Sequence, residues 1–392
     1  MPNRPRAHIN PDVLAWARQA AGYPPDQAAR KIGVSPERLL TWESGEGWPT
    51  LRQLRLVAGV YKRPSALFYR STPPVETLTV PDFRLLPEGQ TLYSPPLLFE
   101  IRRSFERRNI ALEIMAELGE ELPAFPFAPD NSAPDHLARH IRQRLGISLE
   151  AQFTWHEHYT ALRSWTSAIE NLGVLVFQVS NVDVSEMRGF SIAEYPLPVI
   201  GLNGKDSPRG RIFTLFHELA HIMLQHGGIC DLHEADAEVS EPLETLCNQT
   251  AAETLVPAPA LLQDHRVIDN GPSLTWSNEK LQYLANRFMV SQEVILRRLL
   301  TLGRTTNVFY RRNRQEWQEA LLVDREKPTG FVPYYRRVLR DNGRAYTRLV
   351  LSAFYNDVIS SRDLSSFLGG VGLQHIGSIE QALTSREGGQ EA

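Results

Sequence analysis

The stretch Ile212-Phe-Thr-Leu-Phe-His217-Glu218-Leu-Ala-His221-Ile-Met223 constrains this chain most, because it sets two imidazoles and a carboxylate in an almost wholly apolar helical run. A spacing of four residues places His217 and His221 one turn apart on one helix face, where both can reach a single ion. Pro208-Arg-Gly-Arg opens the helix, and Ile212, Phe213, Leu215, Phe216, Leu219, Ala220 and Met223 give it a broad apolar surface. A helix apolar nearly all round belongs in a core, and a buried imidazole pair needs a partner. Two satisfied core histidines are the plain alternative. Glu218 favours the sharper one, since a carboxylate directly after the first ligand can serve as general base in metal-assisted hydrolysis.

The flanking charge points the same way. From Ile212 to His265 there is no Lys or Arg, while Glu218, Asp231, Glu234, Asp236, Glu238, Glu241, Glu244, Glu253 and Asp264 are acidic. Such a stretch favours a dication over an anion. A catalytic zinc needs a third protein ligand and an open fourth position. His226, Cys230, His233, Glu238, Glu241, Glu244 and Cys247 are candidates. Glu244 stands out because it opens a second helical pattern, with Glu244, Cys247, Ala251 and Leu255 on one face. Small residues at 247, 251 and 252 allow that helix to approach the first closely, and Pro257 ends it. An acid near a helix start is also at home in solvent, so spacing alone leaves Glu244 level with the other candidates together.

His217-Glu-Leu-Ala-His221, followed by Glu244-Thr-Leu-Cys-Asn-Gln-Thr-Ala-Ala-Glu-Thr-Leu-Val-Pro257, resembles the ImmA/IrrE family of bacterial metallopeptidases. The segments Leu172–Phe177, Met187–Phe190 and Pro198–Asn203 are similar to that family's small sheet, and Leu284 through Leu300 to its closing helices. The resemblance implies a gluzincin-like zinc metalloendopeptidase with Zn2+ on His217, His221 and Glu244 and with Glu218 as general base. The same donor set also accepts Mn2+ or Fe2+. It further implies limited proteolysis of a protein substrate, typically a helix-turn-helix repressor controlling stress or mobile-element genes.

The first seventy residues carry a different signal. A helical pattern over 11–21 breaks at Gly22-Tyr-Pro-Pro25, a second ends at Gly33, and Ser35-Pro36-Glu37 reads as a new N-cap with Pro at the first helical position. Ala28, Ala29, Gly33 and Val34 suit a tight helix-turn-helix. Down to Trp42-Glu43-Ser-Gly45 the segment resembles Cro/lambda-repressor-type (XRE) DNA-binding domains. Through Arg70 there are eleven Arg and Lys against five Asp and Glu, a surplus of six on a chain whose net charge is −3. That balance suits the phosphates of double-stranded DNA. The recognition helix is expected to begin at Ser35, with Arg38 and Thr41 facing a groove. Pro24-Pro25-Asp26 and Glu37 depart from the pattern and leave a protein-docking role open.

The expected fold class is mainly α (α+β): a helix-turn-helix domain over 1–70, a proline-punctuated linker and amphipathic helix over 71–134, a zincin-like peptidase domain with a small β-sheet over 135–305, and a C-terminal helical region over 306–392 with no assigned chemistry. His156 and His158, two apart, face apart on a helix and read as surface or structural residues. With 42% apolar residues the chain can bury a full core. Its two cysteines give no disulfide framework, and its apolar runs are interrupted within a few residues. Cytoplasmic localisation without a membrane partner is therefore expected. The function that fits best is transcriptional regulation by limited proteolysis. Two alternatives are a DNA-binding regulator whose zinc fold is non-catalytic and a toxin–antitoxin-type regulator.

Overall fold

Capping side chains and prolines start the short helices of the N-terminal part, as the computed structural model shows; it describes residues 5–74, 93–122, 124–127, 133–225, 229–230, 242–323 and 332–384. Residues 75–92 of the expected linker lie outside the described residues. Asn10 caps α1 (Pro11–Ala20), and Pro25 sits at the first position of α2 (Pro25–Ile32), which begins without a side-chain cap. Gly33 ends α2 with φ of 79°, a left-handed conformation that costs a residue with a Cβ more. Ser35 caps α3 (Pro36–Glu43), and Thr50 forms a reciprocal capping box with Gln53 at α4 (Leu51–Tyr61). Their apolar faces meet in a core that includes Leu14, Ala28, Ala29, Leu39, Trp42, Val57, Tyr61 and Phe68. Arg18 on α1 grips Glu43 on α3 with two bonds, Nε–Oε1 at 2.8 Å and Nη2–Oε2 at 3.0 Å. This pair is a planar fork matched to a carboxylate, and it fixes the angle between the two helices.

Helix α5 (Pro95–Leu118) follows. Its residues up to 105 cluster with the N-terminal unit, and residues from 106 onward with a second, larger one. In the first unit Arg102 donates to the carbonyls of Tyr61 and Lys62 at the end of α4.

The second unit is built around a four-stranded sheet of order β1-β3-β2-β4. Helices α6 (Pro134–Leu145), α7 (Leu149–Phe153) and α8 (His158–Glu170) lead into β1 (Leu175–Val179), β2 (Gly189–Ile192) and β3 (Val199–Asn203). β1 runs parallel to β3, with Leu175 opposite Val199, and β2 runs antiparallel to β3, with Gly189 opposite Leu202. Every residue of β3 is buried, so this strand reads as a continuous apolar run rather than an alternation. Helix α9 (Pro208–Met223) crosses β2 and β3, and β4 (Ile229–Cys230) extends the edge of the sheet. Helix α10 (Pro242–Leu255) packs on α9 and α6. Short helices α11 (Ala258–Leu262) and α12 (His265–Ile268) precede α13 (Asn278–Phe288) and α14 (Gln292–Thr301). One apolar cluster joins Trp165, Ile200, Phe216, Ala251, Leu284 and Phe288 across these elements.

The C-terminal part comprises α15 (Asn307–Val323), α16 (Tyr334–Asn342), α17 (Arg344–Tyr355), α18 (Ser361–Phe367) and α19 (Ile376–Thr384). It packs on the sheet: α16 and α17 both contact β1, and Tyr346 meets Phe177 edge to face with ring centroids 5.8 Å apart. Arg107 reaches the carbonyl of Asp341 and the side chain of Asn342 within the same unit. The structure is thus mainly helical with one small sheet. Among the described residues no helix is long and apolar enough to cross a membrane.

Glu170 joins the C-terminal helices to α8 by accepting from the Ala345 N–H at 3.2 Å, at the start of α17. Burial pushes its carboxyl up to about 7, against the opposing pull of Ala345 N–H, Arg348 and Arg344. A carboxyl that is harder to ionise in the folded chain costs nothing while both states are protonated, below its ordinary value of 4.5. The cost grows as pH rises and is complete above about 7. Glu170→Gln should therefore raise the melting temperature at pH 8 by several degrees and leave it unchanged near pH 4.5. An equal shift at both pH values, read by calorimetry, would contradict this.

Candidate metal centre

The His217-Glu-Leu-Ala-His221 motif sits on a helix that solvent barely touches. Ser207 accepts from the Gly210 N–H at 3.0 Å to cap α9, Pro208 occupies its first position, and every residue from Arg211 to Met223 is buried. The apolar residues of the motif supply the contacts that hold it there. Trp165 on α8 packs edge to face against Phe216, centroids 4.9 Å apart, directly before His217. On the sheet side β2 comes so near that a Cβ on Gly189 would lie 2.9 Å from Glu218 Oε1 and closer still to Thr214 Cγ2. Glycine at 189 is what lets strand and carboxylate share that space.

Two imidazoles and one carboxylate converge. His217 Nε2 lies 3.1 Å from His221 Nε2, 3.2 Å separates His217 Nε2 from Glu244 Oε2, and 3.1 Å separates His221 Nε2 from Glu244 Oε1. Both histidines are fully buried. Ligand bonds of ~2.0–2.2 Å arranged tetrahedrally place neighbouring donor atoms roughly 3.3 Å apart. The two imidazole nitrogens lie near that spacing, and each faces a different oxygen of the Glu244 carboxylate. Among the described residues these three form the group of His, Cys, Asp and Glu able to hold a metal ion. The donor set therefore fits a small divalent cation, with two nitrogens and an oxygen facing one point.

The electrostatics show the strength of the convergence. Burial works against a charge on His217, but the Glu244 carboxylate, helped by Glu218, outweighs it and raises the imidazole's pKa. The same histidines hold Glu244 well below the usual carboxylate range despite its burial. Cys247, one turn beyond Glu244, packs with Ala220 and Leu224 instead of joining the cluster, and burial pushes its thiol up. His226, His233, Glu238 and Glu241 lie outside the described residues, as does the side chain of Cys230.

Glu244 reaches the histidines because the far end of α10 is anchored. Side chains from three other elements, two of them buried and that of Arg142 half-buried, satisfy the carbonyls at its end. Arg142 on α6 donates to Thr254 O at 2.8 Å, Gln152 on α7 to Leu255 O at 3.0 Å, and Arg298 on α14 to Val256 O at 3.1 Å. Arg298 also pairs with Glu253. A helix end buried without such donors would leave its carbonyls unsatisfied. None of the three is marked by a local sequence signal, because each acts across a gap of 42 to 112 residues. Gly189 had a weak signal, being a lone glycine at the start of a strand pattern.

In the N-terminal unit Ser35, the expected start of the recognition helix, directly precedes α3, and Arg38 and Thr41, expected to face a groove, lie on it. Ser35 Oγ accepts from the Arg38 N–H at 3.3 Å as the cap, and Thr41 Oγ1 donates to Glu37 O at 2.8 Å. Arg38 is exposed, and so is Glu37. His156 is exposed, while His158 places Nδ1 3.4 Å from Met289 Sδ, away from the cluster.

Comparison with known proteins agrees with this division of labour. Residues 169–300 match the family model described as IrrE N-terminal-like domain, Peptidase_M78, and residues 14–68 match one described as helix-turn-helix. The first match spans β1 to β3, α9, α10 and the helices through α14. The chain thus joins a helix-turn-helix domain to a domain of a peptidase family. No curated protein and no solved structure matches it.

Gln152 tests the anchoring of α10, since it donates both to Leu255 O and to Phe288 O at 2.9 Å. Gln152→Leu strands two buried carbonyls and should lower stability by about 2–4 kcal/mol in urea unfolding. A loss under about 0.5 kcal/mol would show that these bonds do not hold the helix end.

Proposed function

We propose that this fusion of a helix-turn-helix domain with an IrrE N-terminal-like domain is a zinc-dependent endopeptidase that regulates transcription by cutting a DNA-binding repressor. The convergence of His217, His221 and Glu244 beside Glu218 carries the reading. These three residues would hold the ion, for which two nitrogens and one oxygen favour Zn2+ and tolerate Mn2+ or Fe2+. When bound, a divalent ion supplies Lewis acidity toward water and a peptide carbonyl. Glu218 takes the proton of the attacking water and passes it to the leaving amine. Burial of the helix from Arg211 to Met223 keeps bulk water from competing for that proton. A purely structural ion would have no use for a carboxylate in the place of Glu218.

The N-terminal domain, with its surplus of positive charge and exposed Arg38, would hold the chain on double-stranded DNA. A repressor bound nearby is then a substrate at raised local concentration. The helix-turn-helix match supports a regulator of this type over a general protease.

Comparison of protein N-termini in cells carrying wild type or Glu218→Gln tests the activity. Wild type should generate one or a few new termini that are lost in Glu218→Gln, and Arg38→Glu should reduce their yield several-fold through weaker DNA binding. Identical termini in wild type and Glu218→Gln would overturn the peptidase reading.

A further inference from the structure

Asn248 lies one turn after Glu244 on α10, so both side chains leave one face of that helix. It is buried, with the small residues Cys247, Ala251 and Ala252 around it in sequence, and α10 packs closely on α9 there. Its carboxamide reaches His217 on α9 and acts on it as a hydrogen-bond acceptor. Asn248 Oδ1 and His217 Nδ1 are both shut off from solvent, and no other polar atom among the described residues satisfies either. Leaving such a donor and acceptor unpaired in an apolar packing is costly.

The chemistry of the imidazole says which atom needs the bond. His217 turns Nε2 toward His221 and Glu244, at 3.1 and 3.2 Å. A neutral imidazole that offers the lone pair of Nε2 carries its proton on Nδ1. That proton needs an acceptor, and the acceptor sets the angle of the ring. We propose that Asn248 is a positioning residue whose Oδ1 accepts the Nδ1–H of His217 and so keeps Nε2 turned toward Glu244 and His221. This role rests on the proposed metal centre and adds a residue to it. A neutral amide suits the place. Glu244 and Glu218 already bring two negative charges to bear on His217, and a third carboxylate would be repelled by both. Anchoring of the far end of α10 by Arg142, Gln152 and Arg298 holds Asn248 in register along with Glu244.

Two readouts on the full chain test this, and neither is proteolysis. The first is zinc affinity, measured by competition with a chromogenic chelator. Asn248→Leu keeps the side-chain volume and removes the acceptor, and it should bind zinc about 10–100-fold more weakly than wild type. Asn248→Asp restores an acceptor and should bind at least as tightly as wild type. The second is the His217 Nδ1–H proton, observed by NMR on metal-free protein. It should resonate downfield, as a hydrogen-bonded proton does, in wild type and Asn248→Asp, and move upfield in Asn248→Leu. An Asn248 that only fills space would change the melting temperature of the variants without moving that proton. Equal zinc affinity in Asn248→Leu and wild type overturns the proposal, and so does an unmoved proton. Wild type that takes up no zinc would defeat the proposed function instead, and the proton position would still decide whether Asn248 holds His217.

Discussion

Two buried imidazole nitrogens 3.1 Å apart, both facing one half-buried carboxylate, are the constraint on which the rest of this unit depends. Such groups are costly to bury separately, and together they are stable when a positive charge sits among them. The raised pKa of His217 and the depressed one of Glu244 express that demand for a cation. The architecture then reads as a means of keeping two imidazoles and one carboxylate together. Trp165 and the sheet fix α9 from two sides, and Gly189 admits the strand beside Glu218. Arg142, Gln152 and Arg298 fix α10 from its far end, so that Glu244 is presented at its first turn.

Much of this was legible in the sequence, and the reasons are local. A four-residue histidine spacing has one meaning on a helix, and an all-apolar surround has one destination. Capping residues are equally local, which is why Ser35, read as an N-cap, does start α3. Glu244 was a different case. Spacing left it level with six other donors, and the resemblance singled it out; the fold then brings it against both histidines. Cys247 shares its helix face in sequence but packs with Ala220 and Leu224. One turn of helix separates Glu244, which faces the histidines, from an apolar contact there, a distinction set by the packing partner and invisible to periodicity.

What sequence could not show lies in long-range contacts. Gln152 looks like an ordinary polar residue on a short helix, yet it satisfies two carbonyls more than a hundred residues away. The helices after residue 306 carry no motif, but Tyr346 is fully buried against Phe177 of β1. Their contribution is a packed face for the sheet. The N-terminal helices follow the opposite rule: their caps, the Gly33 turn and the Arg18–Glu43 pair all act over short spans, so the domain's outline could be read nearly whole.

The most direct test of the account is the metal content of purified protein, measured by elemental analysis on wild type, His217→Ala and Glu244→Ala. The account predicts about one zinc per chain in wild type and its loss in both variants. Wild type that takes up no metal when zinc is supplied, or Glu244→Ala that retains it in full, would contradict the three-residue centre.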